Sequence, residues 1–369
     1  MLSKRQFLRA AGLTVAGRLA APAAEPAAGR KVILVTFGGG VRYEETFTRQ
    51  GLRNIPRLAA LKPEGRFFRD CRNLGVLSHF NSTASIVTGQ WQRVDDFGFQ
   101  PPASPTIFES FRRQRNAGPA STWAICTNKS FSNIGSAAGP GANVVLPKQL
   151  LLEAVKDVLR KGDSLGVADR QNVQRRLESI LEEGYEGVGW TIFKGGRQLD
   201  KRVRDTLTHA LVEYIHGPET PTSGDELTFF IAREVMREFA PPLVLVNFWD
   251  MDVAHWGAYS LYLQAITRTD RLVGMLWDEV QANPNYRDKT TMLVLPELGR
   301  DGDINTANGF LNHRSGDASC RNMWMLALGA GVGPGETERP VAHIDMAATA
   351  AHILGVRPEG AGQMLPEIS

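Results

Sequence analysis

Short, uncharged apolar segments alternate along the chain with longer segments of helical periodicity. The first apolar segment, 32–37, is rich in β-branched residues, as expected of a strand buried on both faces of a parallel sheet. Further candidate strands lie at 123–127, 243–248, 291–295 and 324–328, and helical patterns separate them. The alternation predicts an α/β fold, namely a doubly wound, mostly parallel sheet with helices on both faces.

One segment departs from this alternation. Residues 150–240 have a helical pattern almost throughout, interrupted by a single apolar run at 188–193. We therefore expect one domain over residues 30–369, in which 150–240 form a mostly helical insertion packed against the sheet.

The N-terminus resembles an export signal. Basic residues at 4, 5 and 9 precede a short apolar stretch at 10–17, and a tract of small residues follows at 20–28. The pattern is similar to a twin-arginine signal in which Lys4 replaces the first arginine. Because the apolar stretch is much shorter than the roughly 20 residues of a spanning helix, we expect a periplasmic or otherwise exported protein without a permanent membrane span. The alternative for residues 1–29 is a disordered, alanine-rich tail.

Composition narrows the classes of partner. The formal net charge is +3, and the basic residues are scattered, which argues against nucleic acid as a partner. The three cysteines, Cys71, Cys126 and Cys320, form no CxxC pair. One disulfide with a free thiol and three buried thiols are therefore both open.

Candidate metal ligands follow two of the predicted strands. Asp250, Asp252 and His255 come directly after the strand at 243–248, Glu297 follows the next strand, and His313 lies further along the chain. Ligands in parallel α/β sheets bind at the carboxyl ends of the strands. Carboxylates and imidazoles at that edge indicate a zinc site or a site for a harder divalent ion. Each motif taken alone also fits a hydrogen-bonded structural histidine or a solvated acidic loop.

The order of these motifs resembles that of the alkaline phosphatase superfamily, which includes phosphatases, sulfatases, nucleotide pyrophosphatases and phosphomutases. In that family a strand is followed by Asp…His…Gly, a long helix, a second strand with Asp-His-Gly, and a later separate His. The corresponding segments here are 250–257, the helix from 259, 297–299 and His313. Segment 33–42 resembles the family's first strand, and 81–89 resembles the start of its nucleophile helix.

The departures from the family pattern concern one of its two metals. The first strand ends in Gly38 and Gly39 instead of an aspartate, and Leu298 replaces the histidine of the Asp-His pair. The resemblance places the nucleophile near His79, with Ser82 and Thr83 as the neighbouring hydroxyls. Of the protein ligands to that metal, only Glu297 would remain.

The resemblance therefore implies a reduced site with one divalent ion, which could be zinc, manganese or calcium. Asp250 or Asp252, His255 and His313 would bind this ion and leave a position for water. Arg42 and Arg300 are candidates for binding a small anionic ester through bidentate hydrogen bonds, or else ordinary surface arginines. Trp256 and its aromatic neighbours either pack beneath the loops or form a platform for an apolar or sugar group.

Two functions follow from this pattern. The first is a sulfatase-like or phosphatase-like metal-dependent hydrolase of a phosphate or sulfate ester, with transferase or mutase chemistry as a variant. The second is a catalytically inactive descendant that acts as an extracytoplasmic binding or scaffold protein. The two differ in whether Asp250 or Asp252, His255 and His313 converge within metal-bonding distance.

Overall fold

The computed structural model describes residues 29–151, 203, 205–207, 223–303 and 309–369. The predicted export signal lies outside the described residues except for Gly29, and most of the predicted insertion at 150–240 does as well. Within the described residues, nine strands form one sheet in the order β4-β3-β5-β1-β6-β7-β2-β8, and β9 pairs with β2. The strands are β1 (Lys31–Phe37), β2 (Arg66–Arg72), β3 (Thr122–Cys126), β4 (Asn143–Val145), β5 (Leu243–Phe248), β6 (Thr290–Pro296), β7 (Asn322–Gly329), β8 (Gly335–Thr337) and β9 (Val341–Ala342).

The sheet is mostly parallel, which confirms the predicted fold class. Strand β1 lies at its centre and pairs in parallel with β5 on one side and β6 on the other. Strand β7 is antiparallel to both β6 and β2. All five predicted strands are present, and β2, β4, β8 and β9 were not predicted. The sequence of β2, RFFRDCR, interrupts the apolar pattern with four charged residues, and the other three strands are only two or three residues long.

Helices cover both faces of the sheet. Successive side chains of β1 point to opposite faces, so Ile33 and Val35 join one apolar core and Val32 and Leu34 join the other. The α-helices that lie wholly within the described residues are α1 (Pro56–Leu61), α2 (His79–Thr88), α3 (Ile107–Arg115), α4 (Gly224–Phe239), α5 (Tyr259–Ala282), α6 (Ala318–Arg321) and α7 (Asp345–Ile353). Helices α4 and α5 pack on the first face, and α2, α3 and α7 pack on the second.

Local sequence explains where these helices begin and end. Helix α3 starts with a capping box, in which the Thr106 hydroxyl accepts the Glu109 N–H and the Glu109 carboxylate accepts the Thr106 N–H. Helix α2 ends at Gly89, whose φ of 69° is the left-handed conformation that favours glycine. Every residue of α2 is buried, which places its N-terminus inside the protein at the carboxyl edge of the sheet.

Two further findings bear on the sequence predictions. The described residues contain no helix with the length and apolar character needed to cross a bilayer. Cys71, Cys126 and Cys320 are all buried and unpaired, so the alternative of three buried thiols is the correct one.

Candidate metal centre

Four side chains from separate parts of the chain meet at the carboxyl edge of the sheet. Strand β5 ends at Phe248 and leads into a 3₁₀ segment, Asp250–Trp256, that carries Asp252 and His255. His79 is the first residue of α2, and His313 follows a short 3₁₀ turn, Gly309–Leu311. We refer to His79, Asp252, His255 and His313 as the histidine cluster.

The cluster is compact. Asp252 Oδ1 lies 3.3 Å from His79 Nε2 and 3.1 Å from His255 Nε2, and the Nε2 atoms of His255 and His313 lie 3.2 Å apart. One ligand atom from each of the four residues lies within 4.8 Å of all the others. These residues could therefore hold a metal ion.

Hydrogen bonds on the far side of two imidazole rings fix their orientation. His313 Nδ1 lies 3.2 Å from the carbonyl oxygen of Leu77, and His79 Nδ1 contacts Glu297 Oε1. Because these acceptors require a proton on Nδ1, the Nε2 atom of the neutral His313 ring presents a lone pair to the cluster, and His79 Nε2 does so once a metal ion replaces its proton. His79 Nε2 is buried and, within the described part of the chain, has no hydrogen-bond partner.

The donor set fits a divalent ion. Lone pairs of imidazole nitrogen and carboxylate oxygen that face one another repel unless a proton or a metal ion lies between them. A zinc ion with bonds of about 2.0–2.1 Å would place tetrahedral ligand atoms about 3.3 Å apart. Three of the six separations in the cluster are 3.1–3.3 Å, and all six are within 4.8 Å.

The electrostatics of the cluster favour one added positive charge. Burial acts to lower the pKa of His79, but the charges of Asp252 and Glu297 outweigh it and raise this pKa to about 9. Burial acts to raise the pKa of Asp252, but His79 and the hydrogen bond from His255 hold it well below its usual value. Burial and the charge of His79 lower the pKa of His313, which remains neutral.

Glu297 supports the cluster from outside it. Its carboxylate is fully buried and accepts hydrogen bonds from the Gly39 N–H at 2.9 Å, Thr83 Oγ1 at 2.9 Å and Asn247 Nδ2 at 3.1 Å, besides its contact with His79. These contacts occupy both oxygens. The structure thus places this candidate ligand behind the His79 ring, where it orients the imidazole.

The other sequence candidates lie away from the centre of the cluster. Asp250 forms an ion pair with Arg268 at 3.0 Å and is not part of the cluster. The Ser82 hydroxyl accepts a hydrogen bond from Asn73 at 2.8 Å, and the Thr83 hydroxyl donates to Glu297. The structure brings together Asp252, His255 and His313 from the predicted ligands, and adds His79, which the sequence had suggested in a catalytic role.

Both candidate arginines are buried. Arg300 is fully buried, lies 2.8 Å from Asp252 Oδ1, and also donates to the carbonyl oxygens of Gly39 and Gly40. Arg42 is bound by Glu45 and by Asp303, the latter at 2.6 Å. Their guanidinium groups therefore have protein partners, and Arg300 is a fixed cation directly behind the cluster.

The three glycines after β1 explain why this strand ends without a ligand. A Cβ atom at Gly38 would overlap the Phe248 carbonyl oxygen, and one at Gly39 would overlap the Asp252 nitrogen. Gly39 and Gly40 also have φ angles of 79° and 80°. The loop that carries Asp252 packs directly on these glycines, so there is no space for an aspartate side chain.

Asp225 is a site residue that the sequence analysis missed. It is fully buried at the start of α4, and its carboxylate accepts the N–H groups of Trp249 at 2.6 Å and Asp250 at 3.0 Å. It thereby caps the 3₁₀ segment that carries Asp252 and His255. Burial, followed by the charge of Asp250, raises the pKa of Asp225 to about 8. No spacing relates Asp225 to the strand motif, so only the fold reveals its role.

Solved structures similar to this chain share one fold. A protein of the alkaline phosphatase superfamily from Vibrio parahaemolyticus is 15% identical with a TM-score of 0.54, over 90% of this chain and 69% of that one. Alkaline phosphatase PafA is 12% identical with a TM-score of 0.57, over 93% and 99% of the two chains. A phosphonate monoester hydrolase from Silicibacter pomeroyi is 13% identical with a TM-score of 0.55, over 90% and 75%.

Sequence comparisons add no closer relative. No family model matches the chain, and no curated protein matches it either. The structural neighbours also include the lipoteichoic acid synthase LtaP from Listeria monocytogenes at 11% identity and a 2-O GAG sulfatase at 12%. The chain therefore has the fold of the alkaline phosphatase superfamily.

Proposed function

We propose that this protein is a metal-dependent hydrolase of phosphate or sulfate esters that binds a single divalent ion through the histidine cluster. The observation that carries the proposal is that one ligand atom from each of three imidazoles and Asp252 lies within 4.8 Å of all the others. A set of three nitrogen donors and one carboxylate suits zinc, and manganese less well, whereas calcium prefers oxygen donors.

The neighbouring residues support one ion rather than two. A second ion beside His79 would need ligands from the end of β1 and from the residues after β6. The glycines leave no space for such a ligand, both oxygens of Glu297 already accept hydrogen bonds, and Leu298 is apolar and buried. Arg300 supplies a fixed positive charge next to Asp252 instead.

A bound divalent ion supplies Lewis-acid activation of water and of the ester oxygen. The chain supplies the rest. Glu297 and the Leu77 carbonyl hold the His79 and His313 rings, and His79 stands in the first turn of α2, where the helix dipole is positive. We propose water as the nucleophile, because His79 Nε2 is buried and the hydroxyls of Ser82 and Thr83 are bound to other groups.

One observation favours a second function. Four protein donors complete a tetrahedral zinc site, and closed sites of this kind are structural. A protein with such a site would be the non-catalytic binding or scaffold protein. The least buried member of the cluster is His255, whose side chain is 22% exposed, so a substrate oxygen would have to reach the ion from that side.

The test is the metal content of the full-length protein, followed by an ester screen. We expect one zinc ion per chain, lost in His255→Ala and in His313→Ala and kept in His352→Ala, a control on helix α7. Hydrolysis of 4-nitrophenyl phosphate or sulfate that depends on this ion would support the hydrolase. One tightly bound ion without turnover would favour the scaffold protein, and a parent protein without metal would exclude both forms of the metal site.

We also propose that residues 1–29 direct export from the cytoplasm, on the basis of their sequence pattern alone. Fusion of this segment to a reporter that is active only outside the cytoplasm tests the assignment. A Lys4-Arg5 to Gln-Gln variant should abolish the reporter signal, and an unchanged signal would contradict a twin-arginine route.

A further inference from the structure

Unlike the other members of the histidine cluster, His313 lies on irregular backbone. His79 begins α2, and Asp252 and His255 belong to one 3₁₀ segment, whereas the described stretch 312–317 has neither helix nor strand. The hydrogen bonds of a regular element therefore do not fix the position of His313. Contacts with other parts of the chain must hold this stretch, which we refer to as the His313 segment.

Asp301 is hydrogen-bonded to the His313 segment on both sides of His313. Its side chain is buried, and its Oδ1 atom accepts hydrogen bonds from Ser315 Oγ at 2.7 Å, the Ser315 N–H at 3.4 Å and Cys320 Sγ at 2.6 Å. The Asp301 N–H donates to the carbonyl oxygen of Asn312 at 2.8 Å. Asp301 thus binds the residue just before His313 and the residue two positions after it.

The two residues before Asp301 add further hydrogen bonds to the same connection. The Gly299 N–H donates to the Cys320 carbonyl oxygen at 2.9 Å. Arg300 Nη1 donates to the carbonyl oxygens of residues 310 and 311, at 3.2 Å and 3.4 Å. The residues that follow β6 are therefore bonded to the connection before and after the histidine.

The Cys320 thiol is a hydrogen-bond donor in this arrangement. Burial, followed by the hydrogen bond to Asp301, raises the pKa of the thiol, so the sulfur keeps its proton. Cys320 also packs in the same small apolar cluster as Leu77, whose carbonyl oxygen lies 3.2 Å from His313 Nδ1. The contacts of Asp301 and the contact that orients the His313 ring therefore meet in one packed group.

We propose that Asp301 is a positioning residue that, through Ser315 and Cys320, holds His313 where its Nε2 atom can bind the metal ion. This inference rests on the metal site of the proposed function and does not require hydrolysis. Hydrogen bonds behind metal ligands orient them, and a ligand that is already held in place loses less conformational entropy on binding. If these contacts served the fold alone, their loss would lower stability and leave metal binding unchanged.

The test measures the zinc affinity of the full-length protein by competition with a chromophoric chelator, together with the absorption spectrum of bound Co²⁺. Asp301→Leu removes the acceptor of all three side-chain hydrogen bonds and should weaken zinc binding about tenfold. Its Co²⁺ spectrum should also change, because the spectrum reports the geometry of the ligands. Asp301→Asn offers an amide oxygen to the same donors and should stay within about twofold of the parent, with an unchanged spectrum.

A second pair of variants gives the answer if Asp301→Leu does not fold. Ser315→Ala/Cys320→Ala keeps the carboxylate but removes two of its donors, and it should weaken zinc binding to a similar extent. Cys320→Ser keeps a hydroxyl donor at the position of the thiol and should bind zinc as the parent does.

Asp345→Leu is the control for an effect on stability alone. Asp345 accepts the N–H groups of Ala342 and Gln363, each at 2.8 Å, at the start of α7, so this change should destabilise the protein and leave zinc affinity unchanged. An equal zinc loss in the control would overturn the positioning role. Unchanged zinc affinity in every folded Asp301→Leu or Ser315→Ala/Cys320→Ala protein would also overturn it, with the metal site left intact. A parent protein without zinc would refute the metal site of the proposed function, and the positioning role with it.

Discussion

The carboxyl edge of the sheet has two neighbouring halves that the chain has built in opposite ways. In the open half, Asp252, His255 and His313 direct donor atoms at one another. In the closed half, next to Gly38–Gly40, the corresponding space is filled by backbone and by the hydrogen-bonded side chain of Glu297. His79 lies between the halves and contacts both carboxylates.

This difference shows that the ability of a buried carboxylate to bind a metal ion depends on the groups around it as much as on its chemical type. Asp252 and Glu297 are both buried carboxylates within contact of His79. Glu297 has several protein donors, so it acts as an anchor. Asp252 has histidine nitrogens and Arg300 around a single oxygen, so it can also bind a cation.

Removal of the Asp252 charge should have the largest effect on this comparison. In Asp252→Asn we expect loss of bound metal, and a fall in the free energy of unfolding of about 4 kcal/mol even in the presence of chelator, because the buried Arg300 loses its counter-charge. Metal analysis and urea denaturation with and without EDTA measure the two effects.

Asp278→Asn is the matched control, since it breaks an ion pair with Arg57 in which the Asp278 side chain is 63% exposed. This control should lower stability by less than about 1 kcal/mol. A chelated Asp252→Asn protein as stable as its parent would show that Arg300 does not depend on this carboxylate.

An acidic residue introduced at the end of β1 should not create a second metal site. Gly39→Asp restores an acidic residue at the end of β1, but its Cβ would overlap the Asp252 backbone at a φ of 79°. We expect a loss of about 3 kcal/mol in unfolding free energy and no second metal ion. Gly118→Asp, where a Cβ would meet nothing within 4 Å, is the control. A stable variant with two ions per chain would contradict the claim that the closed half has no space for a second metal site.

The smallest expected effect at pH 8 concerns His343, a buried histidine whose pKa no carboxylate raises. Both ring nitrogens lack a partner within the described residues, and burial lowers its pKa to about 3. His343→Leu should raise the unfolding free energy by about 1 kcal/mol at pH 8. The gain should increase by about 2 kcal/mol at pH 5, because protons bind the unfolded histidine first as the pH falls below 6.5.

Urea denaturation at the two pH values measures this gain, and His352→Leu on helix α7 controls for an added apolar side chain. An equal gain at pH 8 and pH 5 would mean that His343 takes up a proton in the folded protein. The result would sharpen the contrast with His79, whose pKa two carboxylates raise instead.

The sequence predicted the sheet well and the site in part. Uncharged β-branched segments identify β1, β5 and β6, because strands buried on both faces need such residues. His255 could be found because it closely follows the end of β5, and His313 because it occupies the place of the separate histidine in the family pattern. Asp250 and Asp252 could not be distinguished, since which carboxylate turns inward depends on the 3₁₀ conformation of the segment and on the pairing of Asp250 with Arg268.

The role of Glu297 could not be predicted for a different reason. Its partners Gly39 and Asn247 lie 258 and 50 residues away in sequence, and only the fold brings them together. Asp225 was missed because its cap on the 3₁₀ segment joins residues 24 and 25 positions apart with no motif in common. Long-range hydrogen bonds of this kind leave no periodic signal in a single sequence.

The convergence of the histidine cluster also has a consequence for the topology of the chain. None of the three cysteines is paired, so the fold has no covalent cross-link. An ion shared by His255 and His313 would join positions 58 residues apart and close a loop, as a disulfide does. On the chain-entropy model, such a cross-link lowers the conformational entropy of the unfolded chain. The folded protein is thereby stabilised by about 4 kcal/mol. The same four side chains that would recruit an ion for chemistry would thus also tie distant segments of the chain together.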